Sequence, residues 1–205
     1  MQVLARWLGA LLLFVTAAAA AQGEGFIRLN PAQPTATEDR VEVREFFSYA
    51  CPHCFTFKPR LEAWLKQTSE PVTFVRTPVV FHETWRPLAQ AYYAAETLDV
   101  LDKIHQPLFE AIHVKQRRFR SADDLIAFFA EQGVPRERAA ATFASFRVDM
   151  LMRQGAQALR SYRIQSTPTV VVNGKYVVTP NTAGGQERMI EVIDRLVRRE
   201  AAAWK

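Results

Sequence analysis

Residues 41–67 read VEVREFFSYACPHCFTFKPRLEAWLKQ. Val41–Phe47 has strand length, and its apolar residues are all β-branched or aromatic. Ser48-Tyr49-Ala50 supplies a turn, and Pro52 suits the first position of a helix. The helix is expected from Pro52 to about Gln67, with Cys54, Phe57, Leu61, Trp64 and Leu65 as its buried stripe and Pro59 as an interior kink. Pro71 to Val80 follows as a second strand. Strand, helix and strand within fifty residues make a βαβ unit, so the two strands are parallel. Glu45 shares parity with Val41, Val43 and Phe47, and Arg76 with Val72 and Phe74. Two opposite charges therefore point at apolar faces of paired strands, and each is the natural partner of the other.

Outward from this unit the pattern changes. Phe26–Leu29 is a short first strand, followed by a loop to Arg40. From Trp85 to about Tyr162 every stretch reads as helix: Pro87–Val100, Asp102–Val114, Ala122–Gln132, Pro135–Phe146 and Val148–Tyr162. Ser121 is an N-cap with Asp123 and Asp124 in the first turn, and Gly133 ends that helix. Thr169–Val172 and Lys175–Thr179 flank Asn173-Gly174, a strong hairpin signal. A last helix, Glu187 to about Ala203, buries Ile190, Ile193, Leu196 and Val197. The order βαβ, helices, ββα is an α/β fold with an all-helical insertion. The expected division is 22–83 and 163–205 for the α/β part and 84–162 for the insert.

The first 21 residues stand apart. Arg6 precedes an apolar run from Trp7 to Val15, then Thr16 and five alanines. This is the layout of a secretory signal cut near Ala21, and the run is too short to span a bilayer. Export places the mature chain where disulfides form and persist. The whole chain of 205 residues carries 26 Lys and Arg against 21 Asp and Glu, a net charge of +5. Cleavage removes Arg6 and leaves about +4, a weak case for nucleic-acid binding. An apolar content of 49% excludes a mainly disordered chain, and two cysteines exclude a disulfide-stapled scaffold.

Those two cysteines form Cys51-Pro52-His53-Cys54, where a helix leaves a strand. Unpaired N–H groups and a partial positive charge at a helix start favour a thiolate. His53 adds to this if it is protonated or donating, and a position on the turn leaves the Cys51 sulfur exposed. Cys51 is then the attacking sulfur, with a depressed pKa. Cys54, one turn inward beside Phe57, is buried and acts as the resolving thiol. A stabilised thiolate favours the dithiol form and makes the disulfide form oxidising. Other readings stand beside this one. Cys51, His53 and Cys54 could be soft-metal ligands of an exported binding module, although zinc needs four ligands and no second cysteine pair exists. A passive disulfide across so short a loop adds little stability. Pro168, after Ser166-Thr167 and at a strand start, is a position for either a cis or a plain trans edge proline.

The run Glu45 to Cys54 resembles the active site of the bacterial periplasmic disulfide oxidases, the DsbA family. The resemblance extends to Leu88, Pro107-Leu108-Phe109-Glu110, Arg120-Ser121-Ala122 and Phe146 in the helical block. It continues through Thr167-Pro168-Thr169-Val170-Val171-Val172-Asn173-Gly174-Lys175-Tyr176. It implies a thioredoxin fold with an inserted all-helical domain, and Cys51 as nucleophile with His53 stabilising its thiolate. It implies a cis Pro168 packed against the Cys51–Cys54 disulfide and substrates held as a strand beside Thr167. It also implies Glu45 as the buried acid, whose proposed role is proton transfer with Cys54 while Arg76 holds its charge. Expected partners are reduced unfolded exported proteins and a DsbB-type quinone-linked membrane reoxidant, and no cofactor is needed on the chain. Residues 22–40 are too short for the dimerisation domain of the isomerases, so a monomer is expected. Thr167 departs from the Val of the best-studied oxidases, which keeps an isomerase or reductase balance open. Pro59 resembles the kink proline of thioredoxins proper.

Four further features have plainer readings. Lys115-Gln116-Arg117-Arg118-Phe119-Arg120 reads as a solvated connection, and Tyr92-Tyr93 and Phe128-Phe129 as core. His82 and Trp85 are expected to pack at a domain junction, with a place beside Cys51 as the alternative. His105 and His113 have no assigned role.

Overall fold

In the computed structural model, residues 23–203 are described, and the expected signal segment lies outside them. Five strands form one mixed sheet in the order β1-β5-β4-β2-β3. They are β1 (Ile27–Arg28), β2 (Val41–Phe47), β3 (Val72–Pro78), β4 (Thr169–Val172) and β5 (Tyr176–Val178). The expected parallel pairing holds: β2 and β3 run side by side, with Glu45 opposite Arg76. β4 joins the other side of β2 antiparallel, β5 pairs β4, and β1 pairs β5. The strand carrying Glu45 is thus internal, with neighbours on both sides.

Helix α1 (Pro52–Gln67) leaves β2 as expected and continues through Pro59. Its buried face is Cys54, Phe57, Lys58, Leu61 and Trp64; Leu65 is half-buried and Lys58 takes a core position. The insert consists of α2 (Arg86–Thr97), α3 (Leu101–His113), α4 (Ala122–Glu131), α5 (Arg136–Phe143) and α6 (Phe146–Ser161). Each expected helix is present, with no end shifted by more than three residues. Ser121 caps α4 in a reciprocal box with Asp124. Two short helical pieces, a 3-10 turn at Glu83–Trp85 and α7 (Pro180–Ala183), were not expected. The last helix, α8 (Gln186–Ala202), buries Ile193, Leu196 and Val197 as expected, but Met189 and Val192 go inward where Ile190 is half-buried.

Apolar side chains gather into three clusters. One lies between α1, α8 and the sheet, around Phe57, Leu61, Val172 and Ile193. A smaller one joins Phe46, Val79, Tyr162, Ile164 and Val171 on the opposite sheet face. Trp85 and Phe81 pack against this cluster, while His82 meets Trp85 edge-on and is exposed. The third fills the helical insert with Leu108, Phe109, Leu125, Phe129 and Val148, and also takes in Phe47, Tyr49, Cys51 and Cys54. Tyr92, Tyr93, Phe128 and Phe129 are core residues, as read. The basic connection 115–120 is anchored: Arg117 forms a two-pronged pair with Glu131 and lies over Phe119 and Phe128.

The hairpin that carries the Pro168 loop is fastened at two points. Asn173 and Gly174 both have positive φ, 51° and 65°, as a two-residue primed turn requires. Gly174 also meets the Gln33 backbone so closely that a Cβ there would lie 2.0 Å from its carbonyl oxygen. At the far end Glu200 of α8 accepts hydrogen bonds from Asn173 Nδ2 at 2.7 Å, Tyr176 Oη at 3.0 Å and Lys175 Nζ. Burial works to raise this carboxyl, but the bonds from Lys175, Asn173 and Tyr176 outweigh it and hold Glu200 below the usual range.

Glu200→Gln is therefore expected to lower the unfolding free energy by about 1–3 kcal/mol at neutral pH, read from urea denaturation. A depressed carboxyl stabilises above its unfolded pKa, roughly 4.3, so the difference from the parent protein shrinks as pH falls below that value.

Candidate active site

The site is built where β2 hands the chain to α1. Phe47 ends the strand, and Ser48 closes a turn by accepting the Cys51 N–H on its carbonyl at 3.1 Å and the Ala50 N–H on its hydroxyl at 3.1 Å. Cys51 is the N-cap residue, extended at φ −88° and ψ 114°, and Pro52 begins the helix. The N-cap side chain is the one placed to meet the free N–H groups of the first turn. Here that side chain is a sulfur.

Cys51 and Cys54 are both free thiols, so this is the dithiol state. The Cys51 pKa is lowered to about 5. The largest cause is a hydrogen bond from the Cys54 thiol. Burial opposes it, and the Thr167 hydroxyl and the backbone N–H groups of Cys54 and His53 add to it. In its protonated form the Cys51 thiol instead donates to the Thr167 carbonyl at 3.4 Å. Cys54 is only 1% exposed, and burial, with the neighbouring Cys51, drives its thiol far upward. The two sulfurs thus differ in the expected sense, one ionised and one protonated at neutral pH.

One expectation about this pair needs correction. Cys51 is not an exposed sulfur: it is 7% accessible, because the Thr167 loop and the helical insert close over the turn. His53 acts on the sulfur through its backbone N–H, while its side chain lies on the exposed surface. The ligand trio that a metal-binding reading requires is also not gathered. Among the described residues no group of three or more His, Cys, Asp or Glu side chains could hold a metal ion.

The loop facing Cys51 comes from the other end of the sequence. The Thr167–Pro168 peptide is cis, and Pro168 is buried at the start of β4. A second cis bond, Asn30–Pro31, was not anticipated. Thr169 Oγ1 donates to the Ser166 carbonyl at 2.8 Å and pins the loop.

Beneath the pair lies the expected ion pair, enlarged. Arg76 Nε donates to Glu45 Oε2 at 3.0 Å, and Glu45 is 3% exposed. Arg76 also bonds Glu62 at 3.1 Å, and Lys58 bonds the other oxygen of Glu62 at 2.9 Å. Burial raises the Glu45 carboxyl, and Arg76 only partly offsets it. A carboxyl so placed holds a proton more readily than an exposed one. Lys58 and Glu62 were missed; they sit four apart on α1 and read like a surface pair.

The two unassigned histidines converge on Tyr49. The Tyr49 hydroxyl and His105 Nδ1 share a hydrogen bond of 2.8 Å, and His113 Nε2 donates to the Tyr49 carbonyl at 2.8 Å. Burial holds Tyr49 as the phenol and His105 as the neutral imidazole, the latter aided by Arg76 and Lys58. The signal was available: His105, Phe109 and His113 are spaced four apart, on one face of a helix.

Iodoacetamide should alkylate one sulfur of the reduced protein with a rate that follows ionisation near pH 5. Peptide mapping should place the label on Cys51 and leave Cys54 unmodified up to pH 9. An inflection near 8.5, the value of a free cysteine, would contradict the geometry.

Comparison with known proteins agrees with this site. The DSBA-like thioredoxin domain family matches residues 42–192. The thiol:disulfide interchange protein DsbA of Pseudomonas syringae pv. tomato is 36% identical over 183 residues, covering 89% of this chain and 86% of that one. The DsbA of Burkholderia cepacia is also 36% identical, over 88% and 86% of the two chains. The crystal structure of the oxidoreductase DsbA from Xylella fastidiosa superposes with a TM-score of 0.81 at 36% identity, over 87% of this chain and 96% of that one. That of Pseudomonas aeruginosa DsbA gives 0.82 at 32% identity, over 88% and 95%. With a CPHC dithiol of opposed acidities, a cis proline facing it and a helical insertion, this chain belongs to the DsbA family of thioredoxin-fold thiol:disulfide oxidoreductases.

Proposed function

We propose that the protein oxidises exported proteins in the periplasm, acting on pairs of thiols in chains that have not finished folding. The observation that carries this reading is the opposed acidity of Cys51 and Cys54 at one helix start. In the disulfide form a substrate thiolate attacks Cys51, and the Cys51–Cys54 bond breaks. Cys54 leaves as a thiolate and takes up a proton, for which buried Glu45 is the donor. The substrate's second thiolate then attacks its own sulfur in the mixed disulfide. Cys51 departs as a thiolate, which the helix start and the Thr167 hydroxyl stabilise. Two electrons have passed from substrate to enzyme, and the substrate carries a new disulfide. A good leaving group at Cys51 drives the second step.

Supporting features assign the other roles. Thr167 and Pro168 face Cys51 and offer an extended backbone edge on which a substrate segment pairs. His53 serves the thiolate through its N–H. The dithiol is reoxidised by a DsbB-type quinone-linked membrane protein, with no cofactor on this chain. Residues 1–21 direct export. The chain acts as a monomer, without nucleic acid. It divides at 83/84 and 162/163 into a thioredoxin-like unit and a helical insert, whose apolar cluster reaches the active-site turn.

Cys51→Ser should abolish oxidation of a reduced, unfolded protein, followed by loss of free thiols. Cys54→Ser, offered a disulfide-bonded protein instead, should attack it with Cys51, release one substrate thiol and accumulate the mixed disulfide. Glu45→Gln should slow mixed-disulfide formation by roughly a hundredfold at neutral pH, the low end of what a positioned acid contributes, while the Cys51 ionisation stays near 5. Turnover retained in Cys51→Ser would refute the reading. An unchanged rate in Glu45→Gln would reduce Glu45 to a structural ion pair.

A further inference from the structure

The turn that seats Cys51 is bonded from outside at one of its carbonyls. Its own hydrogen bonds occupy the Ser48 carbonyl and the N–H groups of Ala50 and Cys51. The Tyr49 carbonyl points out of the turn, from a residue that is itself buried, and its partner is His113 Nε2 at 2.8 Å. A buried carbonyl needs a donor. His113 is the last residue of α3, so the donor comes from the helical insert and not from the strand or helix that flank the turn.

The imidazole is itself held in place. It stacks on Phe55 at 5.1 Å between ring centres and 17° between planes, and on Phe109 at 6.0 Å and 29°. Phe55 directly follows Cys54, and its N–H bonds the Cys51 carbonyl at 3.2 Å. One turn earlier on α3, Phe109 packs 4.8 Å from the Tyr49 ring. Two turns before His113, His105 holds the Tyr49 hydroxyl. One face of α3 thus grips Tyr49 at both its side chain and its carbonyl, two residues before the nucleophile. A carbonyl accepts and never donates, so Nε2 carries a proton and His113 is the donor.

We propose that His113 is a positioning residue of the redox centre: it fixes the Tyr49 carbonyl, and through it the turn that seats the Cys51 sulfur over the first N–H groups of α1 and beside Thr167. It does not touch the reacting atoms. Its effect comes through distance and angle, because a thiolate held by several N–H and O–H donors loses stabilisation when its backbone shifts by a few tenths of an ångström. The helical insert therefore helps to set how acidic Cys51 is, and so how oxidising the disulfide is. This rests on the oxidoreductase reading of Cys51.

The test compares His113→Phe, which keeps the stack and removes the donor, with His113→Gln, whose side-chain amide places an N–H near the position of Nε2. The reduced proteins are titrated at 240 nm for the Cys51 thiolate, and each is equilibrated with glutathione. In His113→Phe the Cys51 ionisation should move up by about 0.5–1 pH unit, with a roughly 3–10-fold shift toward the disulfide form against glutathione. His113→Gln should stay within about twofold of the parent protein, one conversion of the same scale. If His113→Phe does not fold, His113→Met removes the donor with a flexible filler and carries the same expectation. The proposal is overturned if the ionisation and the glutathione equilibrium are unchanged while heat stability falls equally in both redox states. It is equally overturned if His113→Gln behaves like His113→Phe. A parent protein whose Cys51 ionises like free cysteine would refute the underlying redox reading instead, before any variant is compared.

Discussion

One negative charge, on the sulfur of Cys51, organises this molecule. Its stabilisers come from three places: the Cys54 thiol and N–H in the first turn of α1, the His53 N–H beside them, and the Thr167 hydroxyl on a loop 116 residues away. Burial opposes the charge, so the donors must more than offset it. Each pH unit of depression is about 1.4 kcal/mol of preference for the ionised sulfur. That preference exists only when Cys51 is free, since a disulfide has no charge to stabilise. The active site therefore resists staying oxidised, which is the physical meaning of an oxidant.

The surrounding architecture serves this arrangement. An internal strand delivers Glu45 beneath the pair, and Arg76 from its parallel neighbour keeps the acid from standing alone. Glu62 and Lys58 extend the network along α1. The hairpin that presents Thr167 and Pro168 is tied to α8 through Glu200. The helical insert contributes both cover and grip: its apolar cluster takes in both cysteines, and α3 holds Tyr49. Thioredoxin-like sheet and insert meet at the turn Ser48–Ala50, so the chemistry sits at their junction.

What was legible in the residues was local or periodic. Parity along Val41–Phe47 and Val72–Pro78 paired Glu45 with Arg76, since side-chain direction in a strand needs no tertiary knowledge. Asn173-Gly174 announced its turn because only residues tolerant of positive φ suit it. The Cys51/Cys54 asymmetry followed from their positions on a helix start. The burial of Cys51 did not, because the cover comes from residues near 167 and from the insert. His105 and His113 were silent for the same reason: their partner, Tyr49, lies 56 and 64 residues away. Lys58 and Glu62 gave no signal because Lys and Glu four apart look solvent-facing, whereas here Glu62 joins Lys58 to Arg76 under the site.

The central claim is best tested by melting the dithiol and disulfide forms side by side as a function of pH. A disulfide ordinarily stabilises the folded state that contains it. Here the depressed Cys51 pKa adds stability to the dithiol form that is full above the unfolded thiol's pKa, roughly 8.5, and fades as pH falls toward the folded value of about 5. The account predicts that the dithiol form melts at the higher temperature at pH 7 and that this advantage shrinks steadily toward pH 5. A disulfide form that melts higher at every pH would contradict it.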